Sequence, residues 1–466
     1  MYLVHFAIIN LGGITYMNRI PLYIHETISS LLEQKKYTSI RDILITIKPI
    51  DIAALFNNLD DNILPLLFRL LPKEIAAETF VEMDDDEQEL LIHSFSDKEL
   101  KEVVDELYVD DAVDLIEEMP ANVVKRILKQ ADPDTRQRIN EILKYPCDSA
   151  GSIMTTEYVN LHPKMTVTQA ITHIRRNGVD KETIYTCYVA EDRKLIGLVS
   201  IKTLLLSGEN DTISDIMENR LISVNTMDDQ ELVAQLFKKY DLIAIPVVDS
   251  DSRLVGIVTV DDAIDVMQEE ATEDIEMMAA ITPTDKPYMK TGVIETWKKR
   301  VPWLLLLMIS ATFTGIIITS FEDALAAQVT LTAFIPMLMD TGGNSGSQAS
   351  VTIIRGLSLN ELGFKNLLQI LWKEFRVALL CGASLAIANF VKLIWIDKVS
   401  YEIAFVVCTT LIITVIIAKV IGCILPMVAK KIGFDPAVMA SPFITTCVDA
   451  LSLLVYFQMA KIVLNI

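Results

Sequence analysis

Asp340, Asn344 and Gln348 stand one helical turn apart inside an apolar stretch, in the run Pro336-Met-Leu-Met-Asp340-Thr-Gly342-Gly343-Asn344-Ser-Gly346-Ser-Gln348-Ala-Ser350. Positions i, i+4 and i+8 share one face of a helix. Hydrocarbon tolerates neither unpaired polar side chains nor irregular backbone, so this face must line water or pack inside protein. A polar face of this kind in a membrane reads as a substrate path. Gly342, Gly343 and Gly346 either let helices approach closely or let carbonyls turn outward. The competing reading is a glycine-rich packing seam with a few buried amides.

A second carboxylate, Asp449, lies eleven residues beyond Val438 in the last apolar segment, ~16 Å along a helix and near mid-membrane. A charge there costs roughly several kcal/mol unless it meets water, a cation or a partner. Ser441, Thr445 and Asp449 form an i, i+4, i+8 stripe, with Ser452 near the same line, giving a continuous polar seam. Lys419 is the one basic candidate at similar depth, so an ion pair with Asp449 is the alternative to a cation site.

The elements that must position these groups are five apolar segments: about 302–320, 324–353, 377–396, 403–428 and 438–464. Each supplies the ~20 residues that cross ~30 Å of hydrocarbon. Lys298, Lys299 and Arg300 precede the first. Arg355, Lys365, Lys373 and Arg376 separate the second from the third, and Lys430 and Lys431 the fourth from the fifth. The positive-inside rule places these loops and the large N-terminal half in the cytoplasm of a cell bounded by its plasma membrane. Five spans put Ile466 outside.

Charge divides the 466 residues sharply: from Thr291 onward 13 basic residues face 10 acidic ones, whereas residues 1–290 hold 28 against 52. So acidic a soluble half excludes nucleic acid as a partner and suits cations. The six cysteines form no Cys-x-x-Cys pair and the five histidines lack metal-ligand spacing, which argues against a zinc site. No catalytic triad, P-loop or metal-hydrolase signature is present, so the chain reads as no enzyme. Met1 to Asn10 is apolar but too short to span and no cleavage pattern follows it; Met17 is an alternative start, and the first sixteen residues are assigned no role.

The soluble half has three pieces. Over 25–149, Pro49, Pro72, Ser96 and Pro120 each open an apolar pattern of helical period, at spacings of 23, 24 and 24. That predicts an all-α superhelical stack of short helices. Its carboxylates Asp84, Asp85, Asp86, Asp110, Asp111 and Asp114 are expected on exposed faces, Asp110 and Asp114 on the same one. Over 150–208 and 209–267 the chain repeats itself: Ile-Met154 and Ile-Met217 open the copies, and Leu195-Ile-Gly197-Leu-Val-Ser200 and Leu254-Val-Gly256-Ile-Val-Thr259 close them. The third piece, Asp261 to Glu276, is expected to be a helix leaving the second copy toward the membrane, continued by a connecting segment over 268–300. On it Asp262, Asp265 and Glu269 fall at i, i+3 and i+7, with Glu270, Glu273 and Asp274 nearer the membrane. Like charges so close repel, unless a multivalent cation is expected.

The duplication resembles a tandem pair of CBS domains, modules that bind adenosine nucleotides between their copies. In that family a Ser/Thr and an Asp three residues on hold the ribose. The second copy keeps Thr259 and Asp262, while the first has Ser200 and Thr203; the resemblance allows ATP without requiring it. The whole order of helical repeat, CBS pair, acidic helix and five spans, with Gly342-Gly-Asn-x-Gly-x-Gln348 in the second span, resembles the MgtE family of magnesium channels. Ala271-Thr-Glu-Asp-Ile275 and the run from Asp435 to Asp449 carry the same likeness.

That resemblance implies a homodimeric Mg²⁺ channel in a lipid bilayer, with residues 301–466 forming the pore and two copies of Asp449 around it. It implies cytosolic Mg²⁺ sensors at Asp110, Asp114, Asp229, Glu231, Asp241, Asp262, Asp265, Glu270, Glu273 and Asp274, with Asp435 at the cytoplasmic mouth. The helix carrying Glu270 to Asp274 is similar to the start of the family's plug helix. Two rival functions remain: a coupled divalent-cation transporter for Mg²⁺ or Co²⁺, and a nucleotide-sensing receptor through which nothing crosses.

Overall fold

The computed structural model describes residues 20–57, 59–284, 288–289, 291–439 and 441–464. Met1 to Tyr16 and the alternative start at Met17 lie outside the described residues, as does the side chain of Ser441. The chain divides at Val266/Met267 into two units.

In the first unit the repeat opens short helices at the expected places. Pro49 is the first residue of Pro49–Phe56, Pro72 and Pro120 cap Lys73–Val81 and Ala121–Gln130, and Ser96 with Glu99 forms a capping box on Asp97–Val104. Proline costs nothing at a helix start, where its missing N–H would have no partner. Phe68, Phe80 and Phe95 pack with ring centroids 5.3–6.5 Å apart at the centre of this stack. Helix α1 (Val109–Glu118) buries Val109, Ala112, Val113, Leu115 and Ile116.

The duplicated region forms two three-stranded sheets of identical plan. In one, β1 (Asn160–Leu161) lies parallel to β2 (Thr186–Glu191), which pairs antiparallel with β3 (Lys194–Ser200). In the other, β4 (Val224–Asn225), β5 (Ala244–Val248) and β6 (Leu254–Thr259) repeat the arrangement. Helices α2 (Val167–Asn177) and α3 (Gln230–Tyr240) occupy equivalent places. The copies lock crosswise: a Cβ on Gly197 would meet Met217 Sδ at 2.6 Å, and one on Gly256 would meet Met154 Sδ at 2.7 Å. The Ile-Met and Gly landmarks legible in the sequence are thus each other's contacts.

Helix α4 (Val260–Met278) begins in the first unit and ends in the second. It stops well short of residue 300: Ala280 takes φ +54°, and the next helix, α5 (Val293–Ser320), begins only after Gly292. Beyond α5, the segment expected to span from Ala324 is broken. A short helix Glu322–Ala327 and a 3-10 turn Val329–Phe334 precede α6, which runs Ile335–Ser358. Pro336 at the start of α6 sets where the regular helix begins. Helices α7 (Leu367–Trp395), α8 (Tyr401–Ile432) and α9 (Ser441–Leu464) complete the second unit.

Among the described residues, four helical runs are long and apolar enough by composition to cross a membrane: 293–320, 364–395, 401–432 and 436–464. Helix α6 is not among them, because its glycines and amides lower its hydropathy. Its 24 residues nonetheless reach ~36 Å, more than the ~30 Å of hydrocarbon.

Candidate functional site

Helix α6 separates its two faces cleanly. Asp340, Asn344 and Gln348 are exposed, as their common spacing requires, while Gly342, Gly343, Ser345, Gly346, Ala349 and Ser350 are buried. The glycines make a packing seam. A Cβ on Gly342 would stand 2.8 Å from Thr414 Cγ2 and Val448 Cγ1, one on Gly343 2.8 Å from Thr445 Cγ2, and one on Gly346 2.6 Å from Ile444 Cγ2. Closest of all, a Cβ on Gly422 of α8 would meet the Gly346 carbonyl oxygen. The glycine packing seam and the exposed polar row thus occupy opposite faces of one helix. Gly342 and Gly343 bring α8 and α9 close, and the exposed polar row is left free of this packing.

The seam on α9 turns toward α6. Thr445 puts its methyl against Gly343 and donates its hydroxyl to the Pro442 carbonyl at 2.9 Å. Ser452 is fully buried beside Gly342 and so does not line an open surface. Asp449 is half-buried and lies within electrostatic range of Asp340. Lys419 is not its partner. That ammonium lies 3.4 Å from Glu374 Oε2 of α7, both side chains largely buried. Sequence reasoning missed Glu374 because it precedes the apolar segment that marked the third span. Among the described residues no basic side chain pairs with Asp449.

At one end of the second unit, Asp274 on α4 accepts a hydrogen bond from Ser358 Oγ at 3.0 Å. Met277 and Met278 pack against Ile354 and Ala437, joining the end of α4 to the end of α6 and to the turn that precedes α9. Burial first, then the nearby Asp435 carboxylate, raise the Asp274 pKa, although the Ser358 bond opposes them. Asp435 itself is exposed and accepts from the Ala437 N–H at 2.6 Å. Glu270 and Glu273 lie on the same helix, within the preceding turn.

In the first unit the carboxylates sort differently from expectation. Asp110 is not on an exposed face: it is only 7% exposed, whereas Asp114, one turn on, is exposed. The apolar row of α1 rotates Asp110 inward, toward Asp262 at the start of α4. Burial, then Asp262, push the Asp110 carboxyl well above the carboxylate range. Burial and Asp262 also raise Asp111 to about 7. Glu182 joins them from the loop before β2 and is pushed up to about 8 by burial, Asp111, Asp261 and Asp262. Its Oε2 is buried without a hydrogen-bond partner. Glu182 had no motif to announce it. Asp265 is raised by burial and Asp261, and Glu82 by burial and Asp265.

Asp229 caps α3, accepting from the Glu231 N–H at 2.9 Å, and Asp241 ends the same helix with φ +52°. Asp229 and Glu231 are thus together, and Asp241 lies a whole helix away, ~17 Å. The nucleotide pattern is also uneven. Ser200 Oγ bonds to Thr203 Oγ1 at 2.9 Å, and Thr259 donates to Asp262. Asp262 is committed to Thr259 and surrounded by carboxylates.

Carboxylates alone make a hard oxygen donor set suited to Mg²⁺, and the unpartnered Glu182 oxygen fits a cation nearby. Among the described residues, no three side chains are close enough to clasp a bare metal ion.

A helical acidic domain, a duplicated α/β pair and a bundle of long apolar helices around a polar seam define a multidomain membrane protein with soluble N-terminal domains. Residues 335–459 match the family model described as MgtE, divalent cation transporter; residues 47–148 match the MgtE intracellular N domain, and 150–208 and 213–269 the CBS domain. The chain is 34% identical over 94% of its length to the magnesium transporter MgtE of Thermus thermophilus, covering 98% of that protein. It is 34% identical over 92% of its length to that of Bacillus subtilis, covering 95%. The solved cytosolic domain of the Mg²⁺ channel MgtE in complex with ATP matches 52% of this chain and 99% of its own, at 34% identity and a TM-score of 0.50. The chain belongs to the MgtE family.

Proposed function

We propose that this protein carries Mg²⁺ across the plasma membrane through a path lined by Asp449, Asp340, Asn344 and Gln348. The observation that carries the reading is Asp449: a half-buried carboxylate in an apolar helix whose one plausible counter-ion, Lys419, is held by Glu374. An uncompensated charge at such depth persists when water and a cation accompany it. Mg²⁺ sheds water reluctantly, so the path holds a largely hydrated ion by outer contacts to carboxylate and amide oxygens. The exposed row on α6 supports a homodimer in which two such rows enclose one pore. The basic loops support cytoplasmic N-terminal domains and an outside C-terminus.

Cytosolic Mg²⁺ regulates the same path. Without cations the carboxylates around Asp110, Asp262 and Glu182 repel, and with them the repulsion is relieved. Helix α4 links that cluster to the Ser358 end of α6, so ions that prefer one arrangement shift the population toward it. ATP held by the one complete ribose pair, Thr259 and Asp262, enters as its Mg²⁺ complex, because Asp262 sits among carboxylates that repel bare phosphate. Calorimetric titration of the cytosolic fragment with ATP tests this; equal affinity with and without Mg²⁺ would contradict it.

The decisive experiment is divalent flux into liposomes holding the purified chain. Asp449→Ala abolishes Mg²⁺ entry while the protein remains folded; wild-type flux at equal abundance would sink the path. Saturable flux tied to a Na⁺ or proton gradient would favour a coupled transporter over a channel.

A further inference from the structure

The run Phe364–Trp395 is one helical stretch of 32 residues, ~48 Å long, whereas ~20 residues cross the hydrocarbon. Its apolar part begins near Val377, so about a dozen residues at its start are left for the headgroup layer. On that overhang Phe364, Leu368 and Trp372 recur at i, i+4 and i+8 and are 43%, 79% and 60% exposed. Lys365, Lys373 and Arg376 lie on the adjoining stripe. The Arg376 guanidinium stands over the Trp372 ring at 5.7 Å, and Lys431, arriving from the end of α8, stands over Phe364 at 4.1 Å. The one acidic residue of the stretch, Glu374, is turned inward to Lys419. Among the described residues, none of these four cations has a carboxylate partner.

We propose that this face binds the headgroup of an anionic phospholipid, its phosphate among Lys365, Lys373, Arg376 and Lys431 and its first acyl carbons on Phe364, Leu368 and Trp372. Aromatic rings at an interface, ringed by cations that neither pair nor retract, match an amphiphile carrying negative charge beside apolar chains. A second copy of the chain does not suit the face, since a two-fold contact would set these cations against themselves. The inference rests on the membrane reading of the chain but not on the Mg²⁺ path.

The test is the thermal unfolding midpoint of the full chain in mixed micelles with phosphatidylglycerol or phosphatidylcholine. Phosphatidylglycerol is expected to raise the midpoint above the phosphatidylcholine value. Lys365→Gln/Lys373→Gln/Arg376→Gln loses at least half of that rise, as does wild type in about 0.5 M salt, where surface charges are screened. A triple variant that keeps the full rise overturns the proposal. Equal stabilisation by inorganic phosphate without lipid overturns the lipid assignment, and Lys373→Cys crosslinking between copies overturns it in favour of an intersubunit face. If the triple variant folds poorly in phosphatidylcholine, Trp372→Ala, which keeps all four cations, must lose part of the rise or the proposal falls. Mg²⁺ flux of either variant in phosphatidylcholine liposomes stays near wild type, so loss of the lipid effect and loss of transport are separately visible.

Discussion

The two units treat buried charge in opposite ways. In the membrane unit Glu374 and Lys419 are matched across two helices, and Asp449 stands without a basic partner among the described residues. In the first unit Asp110, Asp111, Glu182 and Asp262 crowd together: burial raises each pKa first, then Asp262 raises those of Asp110 and Asp111, Asp111 that of Glu182, and Asp261 and Asp265 that of Asp262. Raised pKa values, which keep such groups protonated to higher pH, make crowding tolerable in one place, and in the other the matched charges of Glu374 and Lys419 compensate each other. What the units share is a carboxylate without a basic partner: Asp449 in one, Glu182 in the other.

Removing the membrane carboxylate has the largest effect. Asp449→Ala reduces liposome Mg²⁺ flux to background, and if Asp449 were only structural the loss would track a fall in folded protein instead. Next comes the matched pair. Lys419→Met leaves Glu374 buried alone and lowers stability by about 3–5 kcal/mol, while Lys419→Met/Glu374→Met recovers most of it. Equal unfolding midpoints for the single and double variants would show that the two charges do not compensate each other. The seam follows: Gly422→Ala forces a methyl toward the Gly346 carbonyl and costs about 1–3 kcal/mol, readable as a lower midpoint.

A smaller effect sharpens the contrast from the cytosolic side. Asp111 and Glu182 have pKa values of about 7 and about 8, above their ordinary ones, so the folded fragment binds more protons than the unfolded chain between those limits. Stability is then full below the ordinary carboxylate range and is lost as pH rises through 7 to 8. Mg²⁺ replaces the lost protons, so its protection of the fragment 17–274 against protease is larger at pH 8 than at pH 6. Protection independent of pH would remove these carboxylates from sensing. The smallest change is expected from Glu270, Glu273 and Asp274 replaced together by Ala. Open probability at high internal Mg²⁺ rises while single-channel amplitude stays nearly constant. A fall in amplitude would place them in the pore entrance.

Much of this was legible before any coordinate. Pro49, Pro72, Ser96 and Pro120 announced their helices because capping is local chemistry. Gly197 and Gly256 announced the duplication, although not that each would meet the other copy's methionine. The sites were less legible. Asp110 and Asp114 look alike in sequence, and only the apolar row of α1 packing inward buries one and exposes the other. Glu182 sits in a loop with no periodicity, and Glu374 lies outside the apolar segment that marked its helix.

By itself the sequence determined the order of the pieces, the helix starts of the repeat, and the shared face of Asp340, Asn344 and Gln348, because each follows from spacing along the chain. Only the tertiary structure decided which partner Lys419 takes, that the glycines pack while the amides face outward, and that Asp110, Glu182 and Asp262 meet. Those outcomes join residues from different helices and loops, and their physical cause is how far one packed surface rotates against another, a quantity that no spacing within a single segment encodes.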